Sequence, residues 1–234
     1  AEVFEEILSS KSMYEYHVSR DWIAYHKERD TRVSDQFRAV FGEKRGEQED
    51  ITQHHMDIAA ALQHRLEEIV INQLRAVREE TGLRHLCLSG GVALNCSLNG
   101  KIQNAAIFDE IFVQPASGDA GTAVGACYLS SAHMFSGMKP KKQHNFYLGS
   151  GFNDRDVEIA IKKHSLSAQT PEDIYTATAQ RLAKGEIIGW FQGRAEFGPR
   201  ALGNRSILTR PYPAIMKDYL NKRVKFREEF RPFA

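Results

Sequence analysis

Between residues 84 and 132 the chain twice passes from a short apolar run, through a glycine-containing turn, into a helix-patterned segment. Residues 84–88 lead into Ser89-Gly90-Gly91, and residues 92–103 pattern as helix. Residues 107–113 form a second apolar run ending at Pro115, residues 116–119 read as a turn, and residues 120–132 as a small-residue helix. Strands alternating with helices predict an α/β domain. Upstream, Ile51, Ile58, Leu62, Leu66, Ile69, Leu74 and Val77 recur on one face of a helix over residues 50–80, with Thr81-Gly82 as its stop.

The rest of the chain is less regular. Residues 1–26 read as helix despite Tyr14, Tyr16, Trp22 and Tyr25, and residues 27–49 as a polar surface connection. A basic, Pro-containing stretch at residues 139–145 predicts a linker between a first domain, 1–138, and a second, 146–234. In the second, helices are expected at 156–164, 174–184 and 215–224, and a strand at 187–191. A length of 234 residues fits two domains, or one large and one partial. The start inside a helical pattern and the end at Arg231-Pro232-Phe233-Ala234 predict a fragment.

A net charge of +1 gives no reason to expect a nucleic-acid partner. No apolar run approaches the roughly 20 residues that span a membrane. Cys87, Cys96 and Cys127 carry no CxxC spacing and are expected as buried, reduced thiols, a cytoplasmic pattern.

Four places carry residues suited to chemistry. The Gly90-Gly91 turn reads equally as a phosphate cradle or as a tight turn that needs glycine for geometry. At Ser117-Gly118-Asp119-Ala120-Gly121 the same edge of the sheet is reached again. There Asp119 could cap a helix or hold a phosphate-bridging cation, and locally the cap is the better reading. His54, His55 and Asp57 read as a solvated stripe rather than a metal site. The run from Gly193 to Ser206 holds three arginines and three glycines without helical periodicity, which favours oxyanion binding. Lys225 and Arg227 add cations two residues apart, as on one face of a strand.

Taken in order, ITQHHMDIAAALQ, LCLSGGVALNCSLNGKI, VQPASGDAGTAVGA, GWFQGRAEFGPRALGNRSIL and KFREEFRPFA resemble the NodU/CmcH-type carbamoyltransferases over roughly residues 50–234. The resemblance implies an α/β fold: the second lobe of an ASKHA (actin/sugar-kinase-like, Kae1-like) domain, followed by the start of a YrdC-like α+β domain. In such enzymes the YrdC-like part makes carbamoyladenylate from carbamoyl phosphate and ATP. The ASKHA part passes the carbamoyl group to a hydroxyl of a sugar or natural product.

Carried over by motif, Gly90, Gly91, Asn95 and Gly118 are expected to bind nucleotide, and Asp119 to ligate a divalent metal, which reverses the local preference for a cap. Arg200, Arg205, Ser206, Lys225 and Arg227 are expected to form the catalytic set around carbamoyl phosphate and the ATP phosphates. The implied cofactors are ATP, Fe2+ in the ASKHA domain and Mg2+ with ATP. The implied partners are carbamoyl phosphate and a small hydroxyl acceptor. The family's HxxxH metal ligands do not occur in this stretch, so the chain alone is expected to bind nucleotide weakly and to catalyse nothing. A nucleotide-binding regulatory module, or a related enzyme of tRNA modification or hydrogenase maturation, is the alternative.

Overall fold

The computed structural model describes residues 2–12, 14–27, 29–46, 49–135, 143, 145–228, 231 and 233. The chain divides into two compact units, residues 1–122 and 123–234. The linker expected at 139–145 falls largely outside the described residues.

The first unit departs from expectation at its start. In place of one helix, α1 (Glu2–Ile7) runs into an antiparallel hairpin, β1 (Leu8–Ser10) and β2 (Tyr16–Val18). Serine hydroxyls explain the break: Ser10 Oγ donates to the Ser12 carbonyl, and Ser12 Oγ accepts the Glu15 N–H, so local polar bonds compete with the helix. The supposed connection likewise holds a helix, α2 (Asp35–Phe41), whose N-cap Ser34 accepts from the Phe37 N–H at 3.2 Å. Phe37 and Phe41, four residues apart with ring centroids 4.5 Å apart, pack on a cluster of buried Phe4, Ile7 and Trp22.

The long helix forms as its periodicity predicts. It is α3 (Gln53–Thr81), and its 29 residues make it about 44 Å long. It spans both cores of the unit: Ile58 packs on the Phe4 cluster, and Leu74 joins Leu98, Ile102 and Phe108 in a second. The strands β3 (His85–Leu88) and β4 (Glu110–Val113) are parallel and in register from His85↔Glu110 to Leu88↔Val113. Between them lie a 3₁₀ turn (Gly91–Leu94) and α4 (Cys96–Asn104). After β4 comes α5 (Gly121–Met134), of which only the first two residues belong to the first unit.

Among the described residues this sheet has only these two strands, and one of its faces is covered while the other is open. Leu86, Leu88 and Ile111 pack on the Ile102 cluster, while Cys87 and Phe112, paired across the ladder, are exposed. This corrects the expectation for the cysteines: Cys87, Cys96 and Cys127 are free but all exposed.

In the second unit, α6 (Asp154–Lys163) starts with a capping box in which Asn153 and Asp156 exchange bonds of 3.0 Å. Then come α7 (Ile174–Ala183) and the antiparallel pair β5 (Ile188–Phe191) and β6 (Arg205–Leu208). The last helix is shorter than expected: α8 (Met216–Leu220) passes into a π turn over Asn221–Lys225. Among the described residues no helix is long and apolar enough to cross a membrane.

Candidate functional site

In the first unit two loops meet at the C-terminal edge of the parallel pair. The Gly90 N–H donates to the Ser117 carbonyl at 2.7 Å, which ties the turn after β3 to the turn after β4. Gly90 sits at φ 98°, ψ 161°, a region open essentially to glycine alone. A Cβ on Gly90 or Gly91 would meet no atom within 4 Å, so both lie against open space. Gly121 is required for the opposite reason. A Cβ there would fall 2.0 Å from the Ala116 carbonyl oxygen, so glycine lets the turn close on itself at the start of α5.

Asn95 begins α4: its Oδ1 accepts from the Leu98 N–H at 3.0 Å, and its Nδ2 donates to Gln63 Oε1 on α3 at 2.8 Å. Its side chain is therefore engaged in holding the turn to α3. Asp119 is exposed. The Thr122 N–H and hydroxyl both reach its carbonyl, at 3.1 and 2.6 Å, and among the described residues its carboxylate makes no hydrogen bond. The locally preferred cap is thus not formed. Ser117, 4% exposed, buries a hydroxyl that has no partner among the described residues, at the point where the two loops join.

His54 and His55 serve structure. His54 Nε2 lies 2.8 Å from the Phe41 carbonyl oxygen, and His55 Nδ1 accepts the Thr52 N–H at 3.0 Å. Among the described residues no three His, Cys, Asp or Glu side chains converge as a metal would need. Asp119 supplies one hard oxygen, suited to a cation bridging nucleotide phosphates, but these residues do not by themselves fit an iron site.

In the second unit the arginine-rich run is a closed loop between β5 and β6, organised from within by Glu196. Its side chain is fully buried, and Oε1 accepts from the N–H groups of Leu202, Asn204 and Arg205 at 2.7, 2.8 and 3.1 Å. Oε2 accepts from Arg205 Nε at 2.8 Å, and an Arg205 Nη2 donates to the Glu196 carbonyl at 3.1 Å. Burial alone would raise the Glu196 pKa. The bonds from the Arg205 guanidinium and from backbone N–H groups outweigh it and hold the carboxyl far below the usual range. Asn204 donates to the Arg194 carbonyl, and Tyr147 Oη to the Leu202 carbonyl, which fixes the loop at further points.

A cavity of about 410 Å³ opens beside this loop, bordered by Gly189, Phe191, Ala201, Arg205, Ser206 and Lys225, among others. It brings three of the expected catalytic residues together. Arg205 is pre-aimed by Glu196 yet 45% exposed, and its Nη1 is not spent within the described residues. Ser206 borders the cavity, but it pairs with Trp190 across the ladder, and the pleat sends its side chain to the face opposite Arg205. Arg200 is exposed and does not border the cavity, although its neighbour Ala201 does.

Lys225 and Arg227 are not on one face of a strand. The π turn ends at Lys225, and Phe226 turns the chain at φ 48°. Arg227 Nε then donates at 2.7 Å to Asn221, a fully buried residue, and its guanidinium lies 4.7 Å from the centre of the Phe233 ring. Lys225 therefore goes to the cavity and Arg227 to a structural bond.

The residues that sequence reasoning missed are the anchors: Glu196, Asn204, Asn221 and Ser117. A lone acid inside an arginine run was the available signal for Glu196. The polar anchors Asn204 and Asn221 leave no periodic trace.

Residues 1–128 match the family described as carbamoyltransferase N-terminus, and residues 179–234 match carbamoyltransferase C-terminus. Nodulation protein NolO of Bradyrhizobium diazoefficiens is 48% identical over 186 residues, covering 78% of this chain and 34% of that protein. Nodulation protein NolNO of Sinorhizobium fredii is 48% identical over 187 residues, 78% of this chain and 27% of its own length. The 3′-hydroxymethylcephem-O-carbamoyltransferase of Streptomyces clavuligerus is 36% identical over 176 residues, 75% of this chain and 32% of that enzyme. The chain thus spans about a third of the length of the curated relatives it matches. On the strength of its first 128 residues and of these identities, the chain belongs to the carbamoyltransferase family.

Proposed function

We propose that this chain is part of an ATP-dependent O-carbamoyltransferase, with residues 146–234 contributing to carbamoyladenylate formation in a YrdC-like domain. Residues 1–138 then contribute to carbamoyl transfer in an ASKHA-type domain. The observation that supports this reading best is the cavity bordered by Arg205 and Lys225, with the arginine held in place by a buried carboxylate.

In this reading carbamoyl phosphate loses phosphate to water, and the resulting carbamate oxygen attacks the α-phosphorus of ATP, displacing pyrophosphate. The acceptor hydroxyl then attacks the carbamoyl carbon, gives up its proton, and AMP leaves with the electron pair of the broken C–O bond. No protein nucleophile is needed. The chemistry needs phosphate charge neutralised and reactants aligned before bonds change. Arg205 and Lys225 carry the first task, Arg200 and Arg227 add positive charge in the same unit, and Ser206 offers a hydroxyl from the opposite pleat. In the first unit the open side of the Gly90-Gly91 turn, with Gly118 on the neighbouring turn, receives nucleotide phosphate, the Gly90 N–H tying the two turns together. Asn95 holds the turn to α3, and Asp119 offers an oxygen to a divalent cation such as Mg2+. Such an ion would neutralise phosphate charge when bound.

Equilibrium binding of carbamoyl phosphate, pyrophosphate and ATP to the chain tests this reading. Lys225→Gln, an exposed substitution, is expected to weaken pyrophosphate binding about fivefold or more, in line with loss of one charge-assisted bond. Arg205→Lys should weaken it further, because a single ammonium cannot both hold Glu196 and reach the anion as the guanidinium does. Unchanged affinity in a folded Lys225→Gln chain would remove the reading's main support. Carbamoyl-phosphate-dependent ATP–pyrophosphate exchange by the longer protein is the complementary measurement of chemistry.

A further inference from the structure

We propose that Asn221 is a positioning residue for the cavity of the second unit: fully buried itself, it closes the turn that presents Lys225 there. The role rests on the carbamoyl-transfer reading of that cavity.

Asn221 is 0% exposed, and with Ile102 it is one of the two largest side chains so enclosed among the described residues. An amide buried this deeply is tolerated when its groups are bonded, and here they are bonded to one short stretch of chain. The Asn221 backbone carbonyl accepts the N–H groups of Phe226 and of Arg227, the latter at 3.0 Å. Its Oδ1 accepts from Arg227 Nε at 2.7 Å, and its Nδ2 donates to the Arg231 carbonyl at 2.9 Å. One residue therefore fastens positions 226, 227 and 231 back to the end of α8, where Leu220 is only 3% exposed.

The consequence falls on Lys225. It ends the π turn, a rare geometry that recurs at functional sites. The next residue, Phe226, has φ 48°, a left-handed conformation that a bulky side chain keeps only where its surroundings impose it. The bonds to Asn221 supply that constraint. Residues 222–225 thus form an arc held at both ends by Asn221, with Lys225 next to the second fastening. Three exposed cations share the arc, Lys222, Arg223 and Lys225, and of these Lys225 borders the cavity together with Arg205. A lysine stem is long and flexible, so fixing its backbone lowers the entropy that the ammonium loses on meeting an anion. Glu196 grips Arg205 directly, at the guanidinium, whereas Asn221 places Lys225 through the main chain. The two cations of one cavity are set by two separate buried polar groups.

Calorimetric titration of the chain with pyrophosphate tests the role through a double-mutant cycle. Lys225→Gln is expected to weaken binding about fivefold. Asn221→Ala, with circular dichroism unchanged, should weaken it by about the same factor. Combined with Lys225→Gln it should cost nothing further, because an effect that passes through Lys225 then has nowhere to act. Asn221→Asp keeps the shape of the side chain and takes over if the alanine variant does not fold; its loss should likewise vanish in the Lys225→Gln background. Lys222→Gln, on the same turn but not bordering the cavity, should change affinity by no more than about twofold. If the Asn221 variants bind as tightly as the parent chain while Lys225→Gln is weakened, the positioning role falls and the oxyanion reading stands. If the losses at Asn221 and Lys225 add, the effect is a general loosening of the unit and the role falls. Equal losses in Lys222→Gln and Lys225→Gln would show a diffuse field rather than a placed ammonium, and would overturn it as well. If Lys225→Gln binds like the parent chain, the role falls together with the reading.

Discussion

The first unit closes around two apolar clusters, one of Phe4, Ile7 and Trp22, the other of Leu74, Leu98, Ile102 and Phe108. Around the arginine loop of the second unit three polar residues, Glu196, Asn204 and Asn221, are buried beside the apolar Phe146 and Leu220. The two candidate anion sites differ accordingly. Near Gly90 the candidate groups are backbone, in a turn held by the Gly90–Ser117 bond and leading to α4, which rests on hydrocarbon through Leu98 and Ile102. Near Arg205 they are side-chain cations, rigid because a buried carboxylate grips one of them. Apolar packing is spread over many side chains and degrades gradually when one is truncated, whereas a polar hub concentrates its effect in one residue.

The sharpest way to break that comparison is Glu196→Ala. It leaves three backbone N–H groups and the Arg205 Nε without their acceptor, in a site where the carboxylate is fully buried. Removing one partner of a buried pair costs about 3–5 kcal/mol. The lower end is expected, because Arg205 is half exposed and can turn to water. Urea denaturation, with a probe in each unit such as Trp22 and Trp190, should show the loss in the second unit alone. Glu196→Gln should lose less, since an amide oxygen still accepts.

The same hub predicts an acid dependence. Because the folded pKa of Glu196 is depressed, its contribution is fully present above the ordinary carboxylate value of 4.5 and is lost as pH falls below it toward the folded value. The stability difference between the parent chain and Glu196→Gln should therefore be constant near neutrality and shrink steadily below about pH 4.5. A difference that does not change with acid would show that the carboxylate charge is not what holds the loop.

Next in size is Gly121→Ala in the first unit. The added Cβ would lie 2.0 Å from the Ala116 carbonyl oxygen, so the backbone must move. A cost of about 1–3 kcal/mol is expected, as for overpacked cores. The turn after β4 should shift with it, read as amide changes at residues 116–121. Asn95→Ala removes both an N-cap and the bond to Gln63, and should cost about 1 kcal/mol, the usual magnitude for a cap. A cost near zero in thermal unfolding would mean that the turn is held by the Gly90–Ser117 bond alone.

These sites were unequally legible in the sequence. The helix of residues 53–81 and the parallel strands could be read because burial on one face leaves a period in the residue pattern. That Arg205 and Lys225 would border one cavity was partly foreseeable, because arginine and glycine together serve few structural ends. That Lys225 reaches it and Arg227 does not depends on a π turn and a left-handed Phe226, which no spacing rule reports. The opening hairpin and α2 were missed because serine-mediated turns and a single Phe37–Phe41 pair outweighed a helical pattern that looked continuous, and a polar one that looked structureless. The cysteines were misjudged because burial was inferred from the apolar run around Cys87, and a two-stranded sheet covers only one face of such a run.

The smallest stability change is the most informative about function. Gly91 lies against open space, and its φ is not among the positive ones, so Gly91→Ala should alter unfolding free energy by only a few tenths of a kcal/mol. Gly90→Ala, at φ 98°, should cost about 1–2 kcal/mol from backbone strain. The added methyl at Gly91 would stand on the open side of the turn, the side from which the proposed phosphate would approach the backbone. Nucleotide affinity should therefore fall about tenfold or more in Gly91→Ala while stability is kept. Equal ATP affinity in Gly91→Ala and the parent chain, measured by calorimetry, would leave the turn a purely geometric one. The contrast between backbone-built and side-chain-built anion sites would then collapse to the arginine loop alone.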